Sequence, residues 1–250
     1  MRWHSRFLLT FFGALAVLLA PATLRAQSAT DPAPREGNWL KMHESFLDRA
    51  RQGEIDLLFL GDSITQGWNG FDSKTEQGPR QVWERHYGPR NAANFGIGGD
   101  RTQHVLWRIQ NGEINNIDPK VVVLMIGTNN LATNPPEEIA KGVTAIVETL
   151  RQELPESKLL LLGVFHRGLT RDREKEYDTT DPRIEQVNER IAPLGDLERV
   201  TYLDLGEHFL AEDGTIPREV MPDFLHLSRK GYRLWAEAME PTLWELLDED

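Results

Sequence analysis

The sequence predicts an α/β domain whose parallel sheet is covered by helices on both faces. Five short apolar runs recur along the chain, and segments with the three-to-four-residue spacing of amphipathic helices separate them. Strands that are apolar on both faces and alternate with helices form parallel sheets. The 250 residues, 40% of them hydrophobic, are enough for one sizeable core, and we find no internal repeat and no second domain.

The first 26 residues are interpreted as a secretory signal peptide. Arg2 and Arg6 precede an apolar run at 7–20, and small residues follow up to Ala26. This run is shorter than the roughly 20 residues that span a bilayer, so we expect no stable membrane anchor. Cleavage near Ala26 would remove three arginines and no acid, which changes the formal charge from −11 to −14. We therefore expect an exported protein, in the periplasm or the medium.

The remaining elements follow in regular order. Residues 27–37, rich in Ala, Pro, Asp and Ser, predict a flexible leader, and the domain is expected to cover 38–250. Apolar runs predict strands at 56–60, 93–95, 121–126, 159–165 and 200–205. Helical spacing predicts helices at 39–51, 82–87, 102–110, 136–153, 182–194 and 228–247.

Composition excludes several kinds of chemistry. The acidic balance argues against a surface that binds nucleic-acid phosphates. The absence of cysteine excludes disulfides, thiolate metal sites and a cysteine nucleophile. We find neither a His-Glu-x-x-His motif nor a calcium loop, and we expect no metal and no cofactor. The chemistry must therefore use hydroxyls, carboxylates, imidazoles and amides.

Small polar segments follow the first three predicted strands. They are Gly-Asp-Ser-Ile-Thr at 61–65, Gly-Ile-Gly-Gly-Asp at 96–100 and Gly-Thr-Asn-Asn at 127–130. Ligands of open parallel sheets bind outside the carboxyl ends of the strands, so these segments are expected to share one cleft. Taken singly, each segment is more typical of an ordinary turn, and Asp62 is more typical of a helix cap than of a catalyst.

A fourth segment, just before the last predicted helix, contains Asp223 and His226. A serine hydroxyl needs a base to remove its proton, and an imidazole works best when a carboxylate orients it. On a tight turn, Asp223 can reach one ring nitrogen of His226 and leave the other for Ser63. The amides of Ser63 and Gly99 and the carboxamide of Asn129 can then serve as oxyanion donors. We expect Gly99 to open a helix, because it lacks a Cβ and allows close approach.

These four segments resemble the SGNH hydrolases, the GDSL esterase superfamily, through Ser63, Gly99, Asn129 and His226. The longer matches at 94–108, 127–130 and 223–227 resemble the alpha subunits of intracellular platelet-activating factor acetylhydrolase. The resemblance implies a flavodoxin-like three-layer α/β/α sandwich with a five-stranded parallel sheet and without metal or cofactor. It also implies ester hydrolysis through an acyl-enzyme, with Ser63 as nucleophile, His226 as base and Asp223 as orienting carboxylate.

The resemblance places Ile64, Thr128 and Leu225 in a small acyl pocket, and the stiff β-branched Ile64 favours acetyl over longer acyl groups. We expect the substrate to be a small-molecule or polysaccharide ester, most simply an acetylated carbohydrate. Trp68, Asn69 and Phe71 are candidates for stacking on a sugar ring, or are core and loop residues.

Some alternatives stay open. A lysophospholipase or thioesterase would have a longer acyl pocket, and a non-catalytic carbohydrate-binding module would keep only the fold. The alpha subunits that the chain resembles form dimers, so a homodimer is also open. We interpret His104 as a structural or surface histidine and give His166 no direct catalytic role. The 167–176 segment follows a strand end and either borders the cleft or is a solvated loop, and the second interpretation is preferred.

Overall fold

A computed structural model describes residues 27–70, 78–172 and 174–247. The predicted signal peptide at 1–26 and the predicted sugar contact at Phe71 lie outside these residues. The domain is built on a five-stranded sheet in which all neighbouring strands are parallel. Its strands are β1 (Leu57–Gly61), β2 (Ala92–Gly96), β3 (Val121–Met125), β4 (Lys158–Leu162) and β6 (Val200–Leu203). They lie side by side in the order β2-β1-β3-β4-β6. Each of the five predicted strands is confirmed.

Helices connect the strands, as the periodicity predicts. They are α1 (Asn38–Arg51), α2 (Ser63–Gln66), α3 (Pro79–His86), α4 (Thr102–Arg108), α5 (Pro136–Glu153), α6 (Pro182–Ile191) and α7 (Arg229–Leu247). None of the helices in the part of the chain that the structure describes is long and apolar enough to cross a membrane.

The centre of the sheet is buried on both faces because β1 and β3 carry apolar residues or glycine at every position, and all ten of these residues are buried. Leu58 and Leu60 of β1 face a core completed by α1, α4, α5 and α6. Leu57 and Phe59 face the opposite way, into a core that contains side chains of α3 and α7. Alternate side chains of a strand point to opposite faces, so one strand supplies both cores. The result is the three-layer α/β/α sandwich expected from the sequence.

Residues 27–37 do not form a free leader. Ala29 is fully buried, and its carbonyl accepts a hydrogen bond of 2.7 Å from the Thr102 hydroxyl. The amide of Ala33 donates to the Gln103 carbonyl at 3.1 Å. The prediction of flexibility is wrong because it rested on composition, and composition does not register backbone contacts with the start of α4.

A second sheet lies beyond the ends of the parallel strands. Strands β5 (Tyr177–Thr179) and β7 (Thr215–Pro217) pair antiparallel. The loop that leads into β5 is held by the buried carboxylate of Asp178, which accepts hydrogen bonds from the amides of Thr170 and Arg171. This loop also contacts the turn before α7, because the Gly168 amide donates to the Phe224 carbonyl at 2.7 Å.

Candidate active site

Ser63 occupies a sharp junction between β1 and α2. The strand ends at Gly61 and the helix begins at Ser63, with Asp62 as its cap: Oδ1 of Asp62 accepts a hydrogen bond of 2.9 Å from the Ile64 amide. The prediction that Asp62 is a helix cap is therefore confirmed. A side chain at Gly96 would lie 2.3 Å from the Gln66 amide, so only glycine lets β2 approach this junction.

Asp223 and His226 lie on a tight turn immediately before α7. Oδ1 of Asp223 accepts hydrogen bonds from the amides of Leu225 (3.2 Å) and His226 (2.8 Å), which curl the turn around the carboxylate. Phe224, between them, has a φ of +57°, and its fully buried side chain and its hydrogen bond to Gly168 hold it in this unfavourable conformation.

The three predicted triad residues form one chain of hydrogen bonds. Ser63 Oγ lies 2.9 Å from His226 Nε2, and His226 Nδ1 lies 2.8 Å from Asp223 Oδ2. With the proton of the neutral imidazole assigned to Nδ1, Nε2 is free to accept from the hydroxyl. Burial by itself would raise the pKa of Asp223, but the hydrogen bonds from the ring and amide of His226 and the nearby Arg171 outweigh it and hold this pKa well below its usual range.

Gly99 lies in a turn, not at the start of a helix. The Asp100 amide donates to the Ile97 carbonyl at 3.1 Å, and Gly99 has a φ of +77°, which is the signature of a type II turn. Helix α4 begins three residues later, at Thr102. The expectation that Gly99 opens a helix is therefore wrong, and its positive φ, not the helix dipole, explains the glycine. A Cβ on Gly98 would lie 3.7 Å from the Cβ of Ser63, so the turn lies beside the serine.

The carboxamide of Asn129 bridges the first two strand ends. Its Nδ2 donates to the Asp100 carbonyl at 2.9 Å and approaches Oδ2 of Asp62 at 3.3 Å. The amides of Ser63 and Gly99 donate to no acceptor among the residues that the structure describes. The side chain of Asn129 thus contacts the loops that contain the other two predicted donors.

The carboxyl group of Asp62 is fully enclosed at this point. Burial raises its pKa to about 7, the hydrogen bond from the Ile64 amide only partly offsets that rise, and the carboxylate of Asp100 adds to it. A carboxyl group that titrates near neutrality beside the serine could not be predicted from the motif, since the cause is desolvation by the fold.

The three residues of the predicted acyl pocket are buried, with Leu225 the most exposed at 6%. Each is adjacent in sequence to a residue of the site. Side chains donate hydrogen bonds to the backbone carbonyls of Ile64 and Thr128. The Tyr232 hydroxyl donates to the Ile64 carbonyl at 2.6 Å, and Arg167 Nη1 donates to the Thr128 carbonyl at 3.2 Å.

The structure decides two alternatives that the sequence left open. Trp68 is fully buried among aromatic rings, including Tyr232 and Trp235, and cannot stack on a sugar. The 167–176 segment is not simply a solvated loop, because Arg167 contacts Thr128 and Nη2 of Arg171 lies 3.5 Å from Oδ2 of Asp223. The sequence offered both outcomes as alternatives, but hydrophobicity and charge alternation describe single segments and could not identify the residues in contact.

A buried ionic network begins at Asp100, the residue that follows Gly99. Oδ1 of the fully buried Asp100 accepts from Trp39 Nε1 at 2.7 Å, and Oδ2 lies 3.0 Å from Nε of Arg108. Arg108 also donates to Glu113 at 2.7 Å, and Glu113 lies 2.8 Å from His43 Nδ1. Asp100 and Arg108 lie within the segment that carried the resemblance, but their pairing was not predicted.

Of the two interpretations of His104, the structure supports the structural one, because its side chain is buried. Its Nδ1 accepts a hydrogen bond of 3.0 Å from the Arg101 amide. Burial, together with Arg35, Arg101 and Arg108, lowers its pKa to about 4. Within the described residues, no group of three histidine or acidic side chains could hold a metal ion.

A parallel sheet between two helical layers, with a serine, a histidine and a carboxylate joined at its carboxyl edge, defines the class of α/β/α acylhydrolases. Residues 59–234 match the GDSL-like lipase/acylhydrolase family. The chain is 36% identical over 216 residues to platelet-activating factor acetylhydrolase IB subunit alpha1 of Rattus norvegicus, covering 86% of each chain. It is 34% identical to the alpha2 subunit of the same organism, over 88% of this chain and 90% of that one.

Solved structures agree in fold. A GDSL-like lipase from Bacteroides thetaiotaomicron is similar with a TM-score of 0.63 at 16% identity, covering 81% of this chain and 97% of that one. A member of the lipolytic G-D-S-L family from Veillonella parvula gives 0.58 at 20% identity, covering 75% and 97%. The chain belongs to the GDSL-like lipase/acylhydrolase family and is homologous to the platelet-activating factor acetylhydrolase IB alpha subunits.

Proposed function

We propose that this protein is an exported serine esterase that removes short acyl groups, above all acetyl, from an alcohol through an acyl-enzyme. The observation that carries the proposal is the hydrogen-bonded chain from Ser63 Oγ through His226 to Asp223. Acyl hydrolysis follows from the family, while the acetyl preference, the site roles and the export are the proposed parts.

In the first half-reaction Ser63 Oγ attacks the ester carbonyl carbon and its proton passes to His226 Nε2. The carbonyl oxygen becomes an oxyanion, which the amides of Ser63 and Gly99 and the carboxamide of Asn129 stabilise. To do so, the Asn129 amide must turn one hydrogen from the distant contact with Asp62 toward the oxyanion. The C–O bond to the alcohol then breaks, and the alcohol leaves with the proton from Nε2.

In the second half-reaction water attacks the acyl-serine carbonyl carbon and gives a proton to Nε2. The same donors receive the second oxyanion. Collapse returns the proton to Ser63 Oγ and releases the carboxylic acid. Asp223 remains ionised throughout, because its pKa is held well below the usual range, and it therefore favours the imidazolium that forms in both steps.

The acetyl preference rests on two observations. Ile64, Thr128 and Leu225 are buried, and a small acyl pocket formed by such close-packed side chains would have to deform to admit each added methylene. The homologous alpha subunits are named as acetylhydrolases. An acetylated carbohydrate remains our proposed substrate, although the burial of Trp68 removes one of its expected contacts. A second candidate is a glycerolipid acetyl ester, which the names of those homologues favour.

One panel of esters tests the proposal. Acetyl, butyryl and octanoyl groups are each paired with sugar, glycerolipid and aryl alcohols, and kcat/KM is measured for each pair. We expect acetyl esters to be fastest for every alcohol, and the sugar esters to exceed the glycerolipid esters. The reverse order of alcohols would favour the second candidate. A folded protein that forms no acyl-enzyme with 4-nitrophenyl acetate, as judged by mass, would overturn the esterase assignment itself.

A further inference from the structure

The N-terminal segment brings an arginine against the turn that contains Gly99. Arg35 Nη1 donates to the Gly98 carbonyl at 2.8 Å and to Oδ1 of Asp100 at 3.1 Å. A Cβ on Gly99 would lie 3.3 Å from the same nitrogen, so the guanidinium lies directly on this turn. Arg35 precedes residues 59–234, the part that matches the family, and no motif in that part includes it.

The carbonyl of Gly98 and the N–H of Gly99 belong to one peptide group. This group is planar and trans, so the two point in opposite directions. A cation bound to the oxygen therefore fixes the direction of the N–H. It also polarises the peptide, which makes the N–H a stronger hydrogen-bond donor.

The Gly98–Gly99 peptide group can rotate unless a contact fixes it. It is the central peptide of a type II turn, and rotation of that peptide converts type II to type I and reverses its carbonyl and N–H. With glycine on both sides, no Cβ opposes the rotation. Gly98 is held at its own amide by Oε1 of Gln66 at 2.8 Å, but among the described residues only Arg35 donates to the Gly98 carbonyl.

Arg35 is itself held in place by the packed N-terminal segment. Ala33 is bonded through its amide to Gln103, and Ala29 accepts from the Thr102 hydroxyl. On the other side, Asp100 keeps hydrogen bonds or ion pairs to Trp39 and Arg108 when Arg35 is removed. Loss of the arginine side chain should therefore affect the Gly98–Gly99 peptide more than the fold.

We propose that Arg35 is a positioning residue for the oxyanion hole: it holds the Gly98–Gly99 peptide so that the Gly99 N–H faces the oxyanion, and it strengthens that donor. This inference rests on the proposed esterase function. It assigns a role to the N-terminal segment, which supplies a side chain that supports the site. Arg35 does not touch the ester, and its effect is exerted through the peptide.

The test compares Arg35→Gln, Arg35→Lys and a matched control, Arg49→Gln. Arg49 also donates to a backbone carbonyl, that of Gly53, but it lies before β1, at the end of the sheet opposite the site. Each variant is assayed with 4-nitrophenyl acetate after its thermal midpoint has been measured. Its affinity for a trifluoromethyl ketone, which adds to the serine as an oxyanion, is measured separately.

We expect Arg35→Gln to lower kcat by roughly 10–100-fold and to leave KM nearly unchanged. This decrease is no larger than the roughly 100-fold lower limit for removing an entire oxyanion donor. Affinity for the ketone should fall by a similar factor. Arg35→Lys should recover much of both, because one nitrogen, Nη1, makes both contacts in the wild type. Arg49→Gln should behave as the wild type.

A folded Arg35→Gln protein with wild-type kcat and ketone affinity would overturn the inference, as would a loss confined to KM. Arg35→Met, which keeps an apolar stem, replaces the glutamine variant if that variant does not fold. Turnover by the wild type and by Arg49→Gln reports on the esterase function independently. Failure of the Arg35 inference is therefore distinguishable from failure of the proposed function.

Discussion

The hydroxyl of Ser63 lies 2.9 Å from Nε2 of His226, although the two residues are 163 positions apart in the sequence. Ser63 is placed by the end of β1, and His226 by a turn that Asp223 closes before α7. The distance is that of a hydrogen bond in which an imidazole can accept the serine proton. Two elements that are distant in the sequence therefore place the donor and the acceptor of one proton transfer side by side.

Ser63→Ala should remove turnover to near the uncatalysed level and leave the fold intact. The hydroxyl makes its hydrogen bond to His226 and is not part of the buried core, so its loss should change the thermal midpoint little. The measurement is kcat/KM for 4-nitrophenyl acetate together with the mass of the protein after mixing. Retention of an acyl adduct on the alanine variant would contradict the role of Ser63.

Asn129→Ala should lower kcat by roughly 10²–10³, the scale of one lost oxyanion donor. The neighbouring Asn130 provides the matched control. Its fully buried side chain accepts from the Thr102 amide and donates to Gln103, which ties α4 to the end of β3. Asn130→Ala should therefore lower the thermal midpoint, while Asn129→Ala should lower kcat.

The two variants are separated by measuring both quantities for each of them. If Asn129→Ala costs less than tenfold in kcat while remaining folded, Asn129 is not an oxyanion donor. If both variants lose only stability, the carboxamide of Asn129 serves the structure through its contacts with Asp100 and Asp62.

The sheet and the place of the site could be predicted because both follow from local pattern. Continuous apolar runs identify strands that are buried on both faces, and the carboxyl ends of such strands meet at one edge. Ser63, Gly99 and Asn129 each follow such a run. Asp223 and His226 are close in sequence, so a single turn brings them together.

What could not be predicted depends on contacts between distant segments. Arg35, Arg167 and Arg171 reach the site from loops whose composition is that of solvated chain. Asp62 acquires its raised pKa only because the assembled fold excludes water from it. Gly99 was identified, but its positive φ is set by the turn and not by the helix that follows.

The acyl pocket that we propose for the buried residues Ile64, Thr128 and Leu225 predicts a limit on acyl length. For one alcohol, kcat/KM should fall at least about tenfold from acetyl to octanoyl, because a close-packed wall must shift to admit the longer chain. Leu225→Ala should reduce the ratio of acetyl to octanoyl kcat/KM, because the smaller side chain leaves more room for the acyl chain. The backbone amide of residue 225 can still donate to Asp223 in this variant.

Leu227→Ala is the control for that variant, since Leu227 is also buried but is not assigned to the pocket. Leu227→Ala should cost stability and leave the ratio of acetyl to octanoyl rates unchanged. Equal rates on acetyl and octanoyl esters in the wild type would contradict the pocket assignment.

His104 predicts a pH dependence of stability that His104→Gln should reduce. Burial and three nearby arginines lower its pKa to about 4, from about 6.5 in the unfolded chain. Between these values the unfolded chain binds a proton that the folded protein does not. The free energy of unfolding therefore falls as pH decreases from 6.5 to 4, and this contribution is fully present above 6.5.

Glutamine keeps an acceptor for the Arg101 amide but does not titrate. Between pH 7.5 and 4.5 the free energy of unfolding of the variant should therefore fall by about 1–2 kcal/mol less than that of the wild type. Urea unfolding at both pH values gives this difference. The control is His208→Gln, which makes the same substitution at an exposed position. Carboxylates such as Asp223 also favour stability at higher pH, but they are common to all three proteins and cancel in the comparison. If His104→Gln and the wild type lose equal stability over this range, His104 is charged in the folded protein at pH 4.5, and its environment does not exclude the proton.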